Sequence, residues 1–198
     1  MTGRLLRALT ISVVLALIIV SLSSTPSLRA QDVDVSETVE FCTGCHGDAG
    51  LPVDSDIPII WGQEFYYLYV QLKDYKAGRR ANEIMQGIVA DLDKKQMQAL
   101  AQYFSEQLWP NNGFVTPEES KPAAQNALSA GQCVQCHLGG FEGNSRIPRL
   151  AEQQADYLER TMLEFKQKIR LNSPAKNSLL GAYDDKDIAA MAHYLAGL

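Results

Sequence analysis

The stretches Cys42-Thr43-Gly44-Cys45-His46 and Cys133-Val134-Gln135-Cys136-His137 decide how this sequence is interpreted. Each is a C-x-x-C-H motif, and together they contain all four cysteines of the 198-residue chain. This motif is the attachment signature of c-type haem. Two thiols on one helical turn bind the vinyl groups of a porphyrin, and the adjacent histidine faces the iron. The sequence therefore predicts two covalently attached haem c groups, with His46 and His137 as iron ligands.

Other uses of these cysteines fit the sequence less well. A redox-active C-x-x-C pair needs a βαβ context, and no stretch of this chain shows sustained strand alternation. A zinc site of the Cys₂His type needs further ligands, and His193 is the only histidine outside the motifs. We interpret His193 as a surface or structural residue of the last helix.

The first thirty residues have the layout of a secretory signal peptide. Arg4 and Arg7 precede an uncharged apolar run of about 15 residues, and a small-polar segment leads to Ala30. The run is short for a membrane span of roughly 20 residues, so we expect cleavage after Ala30. Cleavage leaves Gln31–Leu198, 168 residues with a net charge of −8, in the periplasm. An uncleaved segment, or a partner protein, would instead hold the chain at the membrane.

The composition narrows the range of partners. Hydrophobic residues make up 46% of the chain and charged residues 21%, which excludes wholesale disorder and a polytopic membrane protein. The full chain has 18 Lys and Arg against 23 Asp and Glu, a net charge of −5, and no basic run interleaved with aromatic residues. Nucleic acid is therefore a poor candidate partner, and the acidic surface favours docking to a basic patch on a redox protein.

The two halves of the sequence repeat each other. Three features recur at an offset of 90 residues, namely Gln63 with Gln153, Tyr67 with Tyr157, and Arg80-x-Asn82 with Arg170-x-Asn172. The haem motifs and the last helices are offset by 91, so the halves differ by one residue in an early loop and one in a later loop. A connector rich in Pro, Asn and Gly lies between them. We therefore predict one haem-binding domain at residues 31–113 and a second at residues 114–198.

The predicted secondary structure is helical. Apolar residues recur with helical spacing in Gln63–Ala77 and again after Asp93, and matching helices are expected in the second half. A helix capped by Ser36 carries the chain into the first motif, and Asp93 forms a capping box with Gln96. The predicted fold class is all-α.

This doubled arrangement resembles the dihaem cytochrome c4 family, and it is similar to the dihaem subunit of flavocytochrome c sulfide dehydrogenases. The resemblance covers Gln31–Leu198 and is carried by the two haem motifs and by the Gly62-Gln63 and Arg80-x-Asn82 segments. It implies two tandem class I cytochrome c domains related by a pseudo-twofold axis, with a His and a Met ligand at each iron. It also implies electron transfer in the periplasm, often towards a terminal oxidase.

The resemblance also implies the distal iron ligand of the first half. In the family this ligand is the Met three residues after the Arg-x-Asn asparagine, in the loop before the last helix, and here that residue is Met85. As in class I cytochromes c, we expect the carbonyl groups of Pro58 and Pro148 to accept hydrogen bonds from the Nδ1 atoms of the two proximal histidines.

The second half departs from the family pattern, because the segment after Asn172 contains no Met. Ala175 lies three residues after this asparagine, whereas Lys176 matches Met85 when positions are counted from the haem motif. We favour Lys176 as the distal ligand through its neutral amine. One alternative is a weak oxygen ligand from Asn172 or Asn177, and another is an open or water-filled site. The remaining alternatives are Met162 as the ligand, or a rearranged loop.

These residues together predict an electron carrier rather than an enzyme. Its redox partners would be a terminal oxidase, a copper protein or a dehydrogenase. A Lys ligand lowers the potential of the second haem below that of a His/Met haem, so electrons would enter at the second half and leave from the first. The alternative is a small haem redox enzyme, or the electron-accepting cytochrome subunit of a dehydrogenase in sulfur-compound oxidation, that uses the second haem.

Overall fold

Helices form the regular structure of both halves, which confirms the predicted all-α fold class. The computed structural model describes Val33–Leu198, so the predicted signal peptide and its cleavage site lie outside the described residues. Within Val33–Leu198 no strand forms, and β-type pairing is confined to one isolated bridge between Asn144 and Ile147. In the same part of the chain, no helix is long and apolar enough to cross a membrane.

The first half has four helices, which surround one apolar core. They are α1 (Ser36–His46), α2 (Phe65–Lys76), α3 (Glu83–Val89) and α4 (Lys94–Ser105). Helix α2 packs against both α3 and α4. The core takes apolar side chains from all four helices, including Val39, Leu68, Val89, Leu100 and Phe104.

The second half repeats this order. After a 3₁₀ turn at Glu118–Ser120, the helices are α5 (Lys121–Ala130), α6 (Val134–His137), α7 (Ala155–Lys166), α8 (Pro174–Leu180) and α9 (Asp185–Ala196). Helix α9 packs against α5 and α7, and α7 packs against α8. Their core is a separate apolar cluster, which includes Leu128, Leu158, Phe165, Ile188 and Met191.

Of three predictions about where helices begin and how they are capped, the structure confirms one and shows that two are wrong. The capping box of Asp93 and Gln96 is present, with both reciprocal hydrogen bonds at 2.8 Å. The predicted capping role of Ser36 is wrong: α1 begins at this residue, and its side chain makes no capping hydrogen bond. The expectation of a loop around Met85 is also wrong, because Asn82 caps a short helix there by accepting from the Met85 amide at 2.9 Å.

Backbone hydrogen bonds join the two halves in symmetric pairs. The Tyr67 amide donates to the Ser145 carbonyl at 3.1 Å, and the Tyr157 amide donates to the Ser55 carbonyl at 3.2 Å. Both residues of the first pair recur 90 positions later or earlier in the second. The contact therefore has the pseudo-twofold symmetry that the duplication implies.

Two glutamine side chains extend the same symmetry. Gln63 accepts from the Arg149 amide at 2.8 Å and donates to its carbonyl at 3.0 Å. Its counterpart Gln153 accepts from the Ile59 amide at 2.8 Å and donates to its carbonyl at 2.9 Å. Each half thus binds the loop that follows the haem motif of the other half, which brings the two motifs to the same region of the molecule.

Candidate haem sites

Both C-x-x-C-H motifs line one largely apolar cavity of about 560 Å³ that extends across the two halves. The helices place them there: α1 carries the first motif to its last residue, and α6 contains most of the second. The cavity brings together all eight residues singled out from the sequence, namely Cys42, Cys45, His46, Met85, Cys133, Cys136, His137 and Lys176. No disulfide joins any of the four cysteines.

The two histidines are held in the orientation that a proximal iron ligand needs. Nδ1 of His46 lies 2.8 Å from the Pro58 carbonyl oxygen, and Nδ1 of His137 lies 3.0 Å from that of Pro148, which confirms the predicted contacts. A carbonyl oxygen only accepts hydrogen bonds, so Nδ1 carries the proton and Nε2 keeps a free lone pair. Such a contact fixes the ring and its tautomer for metal binding.

Burial also keeps both rings neutral. It lowers the pKa of His46, and it lowers the pKa of His137 to about 4, although the proline carbonyls oppose the shift. The charge of Lys176, which lines the same cavity, lowers the pKa of His137 further. A neutral imidazole is the form that coordinates a metal ion.

Met85 and Lys176 occupy equivalent positions in the two halves. Met85 is the third residue of α3, and Lys176 is the third residue of α8, another helix of seven residues. Both side chains are half-buried and line the cavity that contains the motifs. The structure therefore aligns Lys176, and not Ala175, with Met85.

The surroundings of Lys176 act on its protonation in opposite directions. Its Nζ lies 5.2 Å from the centre of the Phe165 ring, a contact that favours the charged amine. Burial, followed by the positive charge of Arg170, lowers the pKa of Lys176 to about 8. Deprotonation of this amine therefore costs less free energy than for an exposed lysine.

The other residues considered for the second iron differ in where they lie. Met162 lines the cavity, and so does Leu72, its counterpart in the first half. Asn172 and Asn177 do not line it; Asn177 donates to the carbonyls of Phe165 and Arg170 at 2.7 and 2.8 Å. His193 lies outside the cavity, with its ring 5.7 Å from that of Phe114, in a structural position.

A buried polar cluster lines the same cavity as the two motifs, and the sequence did not reveal it. The Oε1 atom of Gln71 accepts from Arg80 at 3.1 Å, from Arg170 at 2.8 Å and from Asn172 at 3.2 Å. Arg80 also donates to the Tyr157 hydroxyl at 3.0 Å. Burial by itself raises the pKa of this phenol, but the two guanidinium groups outweigh it and hold the pKa below its usual value.

The repeat contained part of the signal for this cluster. The two arginines are equivalent under the 90-residue offset, which suggests a shared role at a symmetric contact. Gln71 gave no such signal, because its counterpart is Thr161. Only the packing of α2 beside the segment before α8 shows why a glutamine is needed.

The cavity fits a haem group by its chemistry. Its wall is mostly apolar, and the thiols and imidazoles of both motifs face it. Two cavity residues have a buried side-chain donor without a hydrogen-bond partner, Arg170 at one guanidinium nitrogen and Thr161 at its hydroxyl. The carboxylates of a haem are suitable acceptors for such donors, since buried polar groups without partners are costly.

Comparisons with known proteins agree with this geometry. The family model described as cytochrome c matches residues 123–198. Cytochrome c4 of Thiocapsa roseopersicina is 31% identical over 170 residues, which cover 79% of this chain and 86% of the relative. A protein of Stutzerimonas stutzeri named thiosulfate dehydrogenase electron acceptor is 32% identical over 171 residues, which cover 79% of this chain and 78% of the relative.

The fold also matches a solved structure. Cytochrome c4 of Acidithiobacillus ferrooxidans superimposes with a TM-score of 0.73 at 29% identity. The match covers 80% of this chain and 99% of the other. Similarity therefore extends over both halves and the contact between them.

Proposed function

Because this chain belongs to the cytochrome c4 family of dihaem electron-transfer proteins, we propose that it carries electrons between redox proteins with one haem c in each half. The observation that carries this proposal is the cavity, which presents a complete C-x-x-C-H motif from each half with its histidine oriented by a proline carbonyl. We assign residues 31–113 to the first haem and residues 114–198 to the second. Bound haem c supplies a one-electron Fe(III)/Fe(II) couple.

The residues of each half have defined roles in this proposal. Cys42 and Cys45 attach the first haem, and Cys133 and Cys136 attach the second. His46 and His137 are the proximal ligands, because their neutral rings present Nε2 to the cavity. The contacts with Pro58 and Pro148 fix the orientation and tautomer of the two rings, so each Nε2 would be held in place to coordinate a haem iron.

The distal ligands distinguish the two halves. Met85 is the distal ligand of the first haem, supported by its place in the cavity and at the family's ligand position. Lys176 is the distal ligand of the second haem, supported by its equivalent place in α8 and by its position in the cavity that His137 also lines. A neutral amine is a harder donor than a thioether and stabilises Fe(III), so Lys176 lowers the potential of its half. Electrons therefore enter at the second half and leave from the first.

A dehydrogenase is the electron donor that the comparisons favour. One relative is named as the electron acceptor of thiosulfate dehydrogenase, and it matches this chain over 79% of its length. By this similarity, the second half accepts electrons from a sulfur-compound dehydrogenase. The predicted export signal would carry this chain to the periplasm, where it would have to meet such a donor.

The first half is the more acidic of the two halves, which favours it as the docking site of an electron acceptor. Residues 31–113 contain 6 Lys and Arg and 13 Asp and Glu, a net charge of −7. Residues 114–198 contain 9 and 10, a net charge of −1. A basic redox protein is therefore attracted to the half that carries Met85, and the attraction weakens as salt is added.

In the first half, two exposed apolar residues that line the cavity form a surface suited to such docking. Phe41 and Ile84 line the cavity and are 66% and 72% exposed. Each follows an exposed glutamate, Glu40 or Glu83. The equivalent positions of the second half have Gln132 and Ala175, which are less apolar or smaller, and no glutamate precedes them. An apolar centre with an acidic rim suits transient docking of a basic partner.

Replacement of Lys176 tests the proposal. In Lys176→Ala holoprotein, we expect both haems attached, cyanide binding to one oxidised haem, and an altered spectrum for that haem. Lys176→Met is expected to raise the lower of the two potentials towards the upper one, because a thioether replaces the amine. Redox titration and absorption spectra report both changes. Lys186→Ala is the matched control, because that side chain is 79% exposed on the same half.

Two results would contradict the proposal in different ways. If Lys176→Ala keeps the parent's spectrum, potentials and resistance to cyanide, Lys176 is an ordinary lysine and Met162 becomes the next candidate. If mass spectrometry of the exported protein shows fewer than two haems, the assignment of one haem c to each half is wrong.

A further inference from the structure

Helices α3 and α8 carry the proposed distal ligands Met85 and Lys176, and the segments before these two helices are anchored in different ways. In the first half, Asn82 caps α3 locally by accepting from the Met85 amide. In the second half, Ser173 holds the capping position of α8 without a side-chain hydrogen bond, and Asn172 turns its amide to the other half. The two halves therefore differ in how they anchor the helix of the distal ligand, and the helix without a side-chain cap is α8, which carries Lys176.

Asn172 and Arg170 are bound by side chains of α2, which belongs to the first half. The amide nitrogen of Asn172 donates to a carboxylate oxygen of Asp74 at 2.8 Å and to Gln71 at 3.2 Å. Arg170 donates to the same Gln71 oxygen at 2.8 Å and to the Asn172 side-chain oxygen at 3.0 Å. Gln71, Asp74 and Arg170 are at most 9% exposed, so water does not compete well for these bonds.

This cluster is connected to Lys176 through two short steps. The carbonyl of Arg170 accepts from the side chain of Asn177, the neighbour of Lys176 in α8, at 2.8 Å. The amides of Lys176 and Asn177 both donate to the Ser173 carbonyl, at 3.0 and 3.2 Å. The start of α8 is therefore held between the Arg170 backbone and Ser173, next to the anchored Asn172.

We propose that Gln71 and Asp74 of the first half are positioning residues for the distal ligand of the second haem, through their hydrogen bonds to Arg170 and Asn172. This inference rests on the proposed role of Lys176. A lysine has four rotatable side-chain bonds, so it competes with external ligands only when its backbone is fixed at the right place. Met85 receives this fixation from its own helix cap, whereas Lys176 receives it across the contact between the halves.

The experiment compares cyanide binding to the oxidised second haem in matched holoprotein variants. Gln71→Leu removes the acceptor shared by Arg170 and Asn172, and Asn172→Ala removes the donor from the second half alone. We expect each to increase the apparent affinity for cyanide about tenfold, the factor that corresponds to one hydrogen bond of ordinary strength.

Gln153→Leu is the matched control. It is the same substitution and removes two hydrogen bonds to Ile59 across the contact, but these involve neither residues 170–176 nor the loop that orients His137. If the contact only holds the halves together, Gln153→Leu increases cyanide binding as much as Gln71→Leu does, and the proposal is overturned. Asn172→Ala keeps the test decisive if Gln71→Leu does not fold.

The outcome also separates this inference from the assignment of Lys176. If Lys176→Ala does not open the second haem to cyanide, the ligand assignment fails, and the positioning role fails with it. If Lys176→Ala opens the site while Gln71→Leu and Asn172→Ala bind cyanide like the parent, the ligand assignment stands and the positioning role alone is refuted.

Discussion

Truncation of the two symmetric glutamines should destabilise the protein by different amounts. Gln63 and Gln153 each make two hydrogen bonds to one residue of the opposite half, with similar distances of 2.8 to 3.0 Å. Their partners differ in exposure, because Ile59 is 1% exposed whereas Arg149 is half-buried. A comparison of the two glutamine variants therefore shows how burial of the partner residue changes the stability lost when this contact is removed.

The expected magnitudes follow from the fate of the partner groups. In Gln153→Ala the amide and carbonyl of Ile59 stay buried without partners, and at about 1 to 3 kcal/mol for each group the loss is about 2 to 6 kcal/mol. In Gln63→Ala the partner residue Arg149 is only half-buried, so we expect water to replace the lost bonds, and the loss is about 1 to 3 kcal/mol, the net value of two exchanged hydrogen bonds. The cavity left by the side chain is the same in both variants and cancels in the comparison.

Urea unfolding of the holoprotein, followed by circular dichroism, measures the two losses. We expect the midpoint of Gln153→Ala to fall clearly below that of Gln63→Ala at an unchanged slope, because the slope follows the surface exposed on unfolding. Equal losses, or a larger loss in Gln63→Ala, would show that the exposure of the partner backbone does not control the strength of this contact. The reasoning about water access would then be refuted.

Three further predictions concern other parts of the molecule. Met85→Ala should leave the first haem attached but open to cyanide with a much lower potential; unchanged spectra of both haems would exclude Met85 as a ligand. Asp93→Ala should lower the free energy of unfolding by about 1 kcal/mol through loss of the capping box, and a parent-like urea midpoint would contradict this. The double variant Glu40→Gln and Glu83→Gln should slow oxidation of the reduced protein by a lysine-rich cytochrome c at low salt, but not by ferricyanide; equal rates with the basic oxidant would place docking elsewhere.

The sequence predicted the parts of the site that depend on local spacing. Two thiols and a histidine within five residues lie on one helical turn whatever the rest of the fold does, so the motifs were recognisable without tertiary information. The contacts of His46 and His137 with Pro58 and Pro148 were also predicted, because class I cytochromes c place a proline carbonyl there. The longer helices followed from apolar periodicity, which is a strong signal over twelve residues.

The short helices and the contact between the halves could not be predicted from local sequence patterns. Helices α3 and α8 have seven residues each, about two turns, which is too short for a periodic apolar stripe to stand out. Gln71 and Asp74 lie on α2 among residues of ordinary helical character, and nothing near them in sequence marks them as partners of residues 100 positions away. Their roles depend on tertiary packing, which places α2 beside the segment before α8.

A single inserted residue explains both the ambiguity in the sequence and the asymmetry in the structure. Asn82 directly precedes α3, whereas Ser173 lies between Asn172 and α8, so the second asparagine stands one residue farther from its helix. The helical position of Lys176 still matches that of Met85, because the insertion falls before the helix and not within it. Asn172, however, no longer occupies the capping position, and its amide is free to bind Asp74 and Gln71. The insertion that made the alignment of Lys176 ambiguous thus also allows Asn172 to anchor the segment before α8 to the first half. This anchor fixes the backbone next to Lys176, whose long side chain is the more flexible of the two proposed distal ligands.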